Sequence, residues 1–239
     1  MGPQRTATTR ETAAPSTAFI TLEGVDGAGK STQARLLVRA LTRAGYDVLA
    51  LREPGGTAIS EKIRALLLDP RNAEMGDTCE LLLYEAARAQ LVSQVIDPAL
   101  AAGKVVVCDR FYDSTTCYQA FADGLDRAMV ARANELAVAG THPLLTLVYD
   151  IDPEKAAGRR AGRAGADRME AKGLAFQRKV GEGFRAIAAE EPGRVKLIDA
   201  SEDIAHVFYR TMREVGAAGL AVSDEDARAA FTAEFDGDE

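Results

Sequence analysis

The residues Gly24-Val25-Asp26-Gly27-Ala28-Gly29-Lys30-Ser31 fit the spacing G-x-x-x-x-G-K-[ST], and each residue type in that pattern has a chemical use. Glycines let the backbone turn where a Cβ would obstruct it. Successive N–H groups can then converge on phosphate oxygens, helped by the positive end of a following helix. Lys30 is long enough to reach terminal phosphates, and the Ser31 hydroxyl can sit on a magnesium ion. Residues Gly24 to Thr32 are therefore expected to hold the phosphates of a nucleoside triphosphate. Asp109 closes the apolar run Lys104-Val105-Val106-Val107-Cys108, which delivers a carboxylate at a strand tip. With Ser31 it makes the candidate metal pair, the acid orienting Mg2+ or its water.

The flanking stretches have the periodicities needed to position these groups. Ala18 to Leu22 reads as a short buried strand, and Thr32 to Leu41 places Leu37, Val38 and Leu41 at helical spacing. Tyr46–Leu51, Lys104–Asp109, Leu144–Tyr149 and Arg194–Ile198 read as four more strands. Helices are expected over Ile59–Leu68, Thr78–Leu100, Phe111–Phe121, Asp126–Ala139 and Leu174–Glu190, and from the turn at Asp199-Ala200-Ser201 to Ala218. Strands that alternate with helices in this way predict an α/β fold, with a five-stranded parallel sheet covered on both faces as a three-layer sandwich. The turn Arg52-Glu53-Pro54-Gly55-Gly56-Thr57 follows the second strand at its carboxyl end, where ligands lie in open α/β sheets.

Composition sets the remaining bounds. The chain has 239 residues, 47% of them hydrophobic, enough for one sizeable core. No apolar run approaches the roughly 20 residues of a membrane span, so no membrane association is expected. Of the formal charge of −7, residues 221–239 carry −6 and everything before them only −1. That balance argues against non-specific binding of nucleic acid while leaving room for a local anion site. Cys79, Cys108 and Cys117 form no C-x-x-C pair or even-numbered framework, which favours a reducing, cytoplasmic compartment. No acid or cysteine spacing around His142 or His206 suggests a metal site.

Three segments read as less globular. Residues 1–17 are expected to be a flexible extension, with only a faint likeness to a transit peptide. Gly158 to Arg168 mixes Arg159, Arg160, Arg163 and Arg168 with glycine and alanine. Beside a phosphate-binding loop, such a stretch suits an arginine-bearing lid over about 158–170 better than a solvated surface loop. The acidic tail 221–239 lacks a sustained apolar face although Phe231 and Phe235 are spaced i, i+4; disorder and a loosely docked helix are both open.

The phosphate-binding loop is shared by GTPases, motors, ATPases and small-molecule kinases, so other stretches must decide among them. Arg52-Glu53-Pro54-Gly55-Gly56-Thr57, Tyr84-Glu85-Ala86-Ala87-Arg88, Asp109-Arg110-Phe111-Tyr112-Asp113-Ser114 with Tyr118-Gln119, and the arginine-rich stretch ending Asp167-Arg168 together resemble the thymidylate (dTMP) kinase family of P-loop NTPases. The likeness runs from about Ala18 to Ala218, the nucleoside monophosphate kinase domain being 18–220. It implies magnesium-dependent transfer of the ATP γ-phosphoryl group to dTMP, giving dTDP, by a homodimer.

The same resemblance distributes roles. Tyr84 stands where the family usually has a Phe that stacks on thymine, and Arg88 where an Arg donates to a base carbonyl. Arg64, Gln119 and Thr115 match positions around the base, with Glu53, Pro54 and Ser114 completing the dTMP site. Arg110 matches the arginine on the acceptor phosphate, Asp26 the acid near the sugar 3′-hydroxyl or a phosphate-bound water, and Tyr118 the tyrosine that crowds C2′. Gly27 stands where one branch of the family has an Arg, so the lid residues Arg159 and especially Arg163 are expected to supply that charge, as in the bacterial-type branch. Two competing readings remain open at this point. One is a kinase for another nucleoside monophosphate or a deoxynucleoside; the other is an ATP-binding switch that transfers nothing.

Overall fold

The computed structural model describes residues 17–160 and 168–235. Residues 1–16, most of the lid stretch including Arg163, and the last four residues lie outside the described residues.

Burial separates the central strands from the edges. Strand β1 (Ala18–Glu23) is buried at every position, and β3 (Val105–Asp109) and β4 (Leu145–Asp150) at every position but their last residue. Only β2 (Val48–Arg52) and β5 (Val195–Asp199) mix exposed and half-buried residues. The five form one parallel sheet in the order β2-β3-β1-β4-β5, so the continuous apolar runs belong to strands covered on both faces. Along β1 the side chains alternate. Ile20 and Leu22 enter the cluster with Leu37 and Leu41 of α1 (Lys30–Arg43) and Val207 and Val215 of α9 (Ile204–Ala217). Phe19 points the other way, with Val106, Cys108, Leu91, Ile96 and Phe111. Leu22 is level with Asp109 in the register of β1 on β3, which sets the loop after β1 beside the acid at the tip of β3.

The remaining helices are α2 (Ala58–Leu68), α3 (Asp77–Leu91), α4 (Asp97–Ala101), α5 (Tyr112–Thr115), α6 (Arg127–Val138), α7 (Pro153–Arg160), α8 (Leu174–Glu190) and α10 (Asp224–Phe235). The single helix expected over Thr78–Leu100 is α3 and α4 joined by a π-helical turn, Val92–Ile96. Pro98 lacks an N–H and its ring crowds the carbonyl four residues back, so the α-helical ladder cannot pass through it undisturbed. The helix expected over Phe111–Phe121 is also composite, α5 continuing as a π-helical stretch Thr116–Ala122. There the consecutive residues Cys117, Tyr118, Gln119 and Ala120 are all buried.

Helix α7 was not anticipated. The glycine and arginines at Gly158–Arg160 obscured it, yet Asp152 caps it by accepting from the Glu154 N–H at 2.7 Å, and its own Ala156 is buried. Arg168, expected on the lid, is instead buried; its Nε donates to Leu67 O at 2.8 Å and its guanidinium pairs with Glu80. In the acidic tail, α10 buries Ala227 and Ala230 against Leu36 and Ala40 of α1 and Phe208 of α9, which selects the docked helix of the two readings.

Candidate active site

The loop between β1 and α1 is shaped by two glycines that no other residue could replace without strain. Gly24 has φ +137°, and a Cβ there would lie 2.7 Å from Tyr149 O at the end of β4. Gly29 precedes α1 at φ +93°, the left-handed conformation that turns the chain into the helix. Residues Asp26, Gly27, Ala28, Gly29, Lys30, Ser31 and Thr32 line a cleft of about 900 Å³. Gly24 and Val25, expected among the phosphate contacts, are not part of that lining; their carbonyls accept hydrogen bonds from Lys30 Nζ at 3.0 and 2.9 Å. Burial and the nearby Arg110 guanidinium lower the Lys30 ammonium to about 8. Ser31 Oγ donates to Asp109 Oδ2 at 2.7 Å. A hydroxyl and a carboxylate side by side are hard oxygen donors that suit Mg2+, which keeps several waters and binds through one or two protein oxygens plus phosphate. Among the described residues no group of three or more His, Cys, Asp and Glu side chains could hold a metal by itself.

Arg110 is the hub of the site. It is a non-glycine residue at φ +74°, a conformation that persists only where the surroundings dictate it. Its N–H donates to Leu22 O at 2.9 Å. Nη1 donates to Gly24 O at 3.1 Å and Ser114 Oγ at 3.0 Å, and Nη2 pairs with Asp26 and donates to Tyr118 Oη at 3.2 Å. Gln177 on α8 donates to the other Asp26 oxygen at 3.2 Å. Glu23, the last residue of β1, supports this hub from below and was missed in the sequence. It accepts from Phe111 N at 2.7 Å and Ser114 Oγ at 2.5 Å. Burial, with Asp113 nearby, pushes its carboxyl up to about 7. The one signal for it was an acid ending an otherwise apolar strand.

A second pocket, of about 140 Å³, opens beside Arg110. Its lining contains all eleven residues assigned to dTMP: Asp26, Glu53, Pro54, Arg64, Tyr84, Arg88, Arg110, Ser114, Thr115, Tyr118 and Gln119. Leu68, Phe111 and Met169 complete it; none had been singled out. Arg64 reaches across from α2 and donates to Pro54 O at 2.9 Å. Arg88 is 2% exposed. It donates from Nε to Glu53 at 2.9 Å and from Nη1 to Glu85 at 2.7 Å, over the ring of Phe111. One guanidinium thus faces two buried carboxylates, and burial pushes Glu53 up to about 7 although Arg88 opposes it. Gln119 donates to the buried Glu80 at 2.6 Å. Glu80 also pairs with Arg168 and Lys172, so these two residues are tied to the wall of this pocket.

The two chambers share Asp26, Arg64 and Arg110. Lys30, Arg52 and Arg159 add cationic groups to the larger one, and Arg159 donates to Ala200 O at 2.9 Å. A polyanion in the loop and a second ligand in the small pocket would meet at Arg110. The family model described as thymidylate kinase matches residues 22–210. The chain belongs to the thymidylate kinase family. Among relatives, the thymidylate kinase of Geotalea uraniireducens (strain Rf4) is 48% identical over 192 residues, covering 78% of this chain and 90% of the relative. That of Symbiobacterium thermophilum is 48% identical over 189 residues, covering 79% and 88%. The crystal structure of thymidylate kinase from Ehrlichia chaffeensis superposes with a TM-score of 0.70 at 32% identity, covering 84% of this chain and 99% of that one. At that likeness the fold is the P-loop NTPase fold with its parallel five-stranded sheet.

Proposed function

We propose that the protein transfers the γ-phosphoryl group of ATP to dTMP, giving dTDP and ADP, with Mg2+ as cofactor. The observation that carries this reading is the meeting of the loop-lined cleft and the small pocket at one guanidinium, Arg110. The acceptor nucleophile is an oxygen of the dTMP phosphate, already ionised near neutral pH, so no general base is needed. Asp26 then acts by holding Arg110, which bridges the two phosphates and stabilises charge as it redistributes. Lys30 exchanges the Gly24 and Val25 carbonyls for phosphate oxygens when the donor binds. Ser31 and Asp109 hold Mg2+, which when bound neutralises charge on the donor phosphates. Tyr84 supplies the face on which thymine stacks, Tyr118 crowds the sugar, and Arg88 and Gln119 fix the rim of the base. Arg159, on α7 in the wall of the cleft, and Arg163 of the arginine-rich stretch supply further positive charge for the phosphates.

We also infer a cytoplasmic homodimer. The homodimer rests on the family likeness, with Leu66, Leu82 and Leu136 exposed on α2, α3 and α6. No helix among the described residues is long and apolar enough to cross a membrane, and Cys79, Cys108 and Cys117 are unpaired. The test is a coupled assay of ADP release with dTMP, dUMP, CMP, GMP and AMP as acceptors. A preference for dTMP is expected; a clear preference for another acceptor refutes the pocket assignment, and ATP binding without turnover supports a switch instead.

A further inference from the structure

The family match ends at residue 210, before α10 begins, yet α10 contributes to the wall of the large cleft. Phe231 and Phe235 line it together with Ile204, Ala205 and Val207, apolar residues in a cleft whose lining otherwise includes Lys30, Ser31, Asp109, Arg110, Glu202 and Asp203. A nucleoside triphosphate also combines two characters, anionic at one end and a flat aromatic base at the other. We infer that α10 supplies an aromatic wall for the base of the donor nucleotide, with Phe235 as the stacking residue. The inference rests on the reading of residues 26–32 as the triphosphate site.

Three features favour a built wall over an incidental one. First, the helix is fixed to the phosphate loop's own helix: Glu234 pairs with Arg35 at 2.6 Å and Arg39 at 2.8 Å. Arg35 in turn donates to Ser31 O at 3.3 Å. Second, Phe231 is held by rings behind it, 6.0 Å from Phe208 and nearly parallel to Tyr209 at 6.4 Å. Third, Phe235 packs on Phe231 at 4.9 Å while remaining 46% exposed. A large aromatic half open to a cleft on an otherwise acidic helix is a surface that a base can cover, and such rings stack on any base without hydrogen-bond readout.

The full chain contains no tryptophan, so Phe235→Trp introduces a single indole at the site. Its fluorescence should change on addition of ADP and remain unchanged with inorganic tripolyphosphate, which has no base. By calorimetry, Phe235→Ala should weaken ADP binding about tenfold and leave tripolyphosphate affinity as in the parent protein. Unchanged ADP affinity in Phe235→Ala, or an indole silent to ADP, overturns the proposal. Equal weakening of ADP and tripolyphosphate also overturns it, since α10 would then act through Arg35 on the loop. Tripolyphosphate that binds neither protein overturns the triphosphate site itself, and with it this inference.

Discussion

Replacing Arg88 with Ala is expected to be among the most damaging single changes in the acceptor pocket, and the structure says by how much. The guanidinium is the shared partner of Glu53 and Glu85, at 2.8 and 2.7 Å, all three side chains being buried. Removing one partner of a buried ion pair costs about 3–5 kcal/mol, because the remaining charge is left without compensation. At roughly 2–4 °C per kcal/mol for a chain of this size, the melting temperature should fall by about 6–20 °C. Glu53 already sits at about 7, and losing Arg88 raises it further. A carboxylate whose folded pKa exceeds its unfolded value of about 4.3 contributes stability that is present at low pH and lost as pH rises through the folded pKa. The deficit of Arg88→Ala relative to the parent should therefore be greater at pH 8.5 than at pH 5.5, and adding Glu53→Gln should recover part of it at the higher pH. Far-UV circular dichroism melts of the parent, single and double variants measure this. A loss under 2 °C at pH 8.5, or the same loss at both pH values, refutes the reasoning. Calorimetry well below the melt should also show weakened dTMP binding.

Other outcomes follow from the same geometry. Arg110→Ala should lower kcat by about 10³ or more while changing ADP affinity only a few-fold, since the loop amides and Lys30 remain; steady-state kinetics beside calorimetry decide it, and equal losses in both sink its bridging role. Glu23 is held near 7 by burial and Asp113, so the parent loses stability as pH rises from about 4.5 to 7. In urea titrations across that range Glu23→Gln should flatten the dependence, and an unchanged slope would contradict the placement of this group. Arg163→Ala should reduce kcat with little change in dTMP affinity; wild-type kcat removes this residue from the lid argument.

The sequence by itself determined the local pieces and their order. The glycine spacing from Gly24 to Gly29 requires backbone conformations that few residues other than glycine adopt, and the apolar runs at Ala18–Leu22 and Val105–Cys108 have the period and length of covered parallel strands. Those signals are local, within about a dozen residues, so they survive being read one stretch at a time. The tertiary structure alone decided which distant groups meet. The placement of β1 between β3 and β4 brings Glu23 under Phe111 and Ser114, and Asp26 onto Arg110. Helical spacing sets Arg88 near one face with Leu81, Ala87 and Leu91, but that its guanidinium meets Glu53 there is a fact no periodicity carries. The same holds for Arg168 against Glu80 and for α10, whose small buried residues Ala227 and Ala230 are too weak an apolar stripe to announce docking. Contacts between residues far apart in the chain depend on strand order and helix packing, which are properties of the whole sheet.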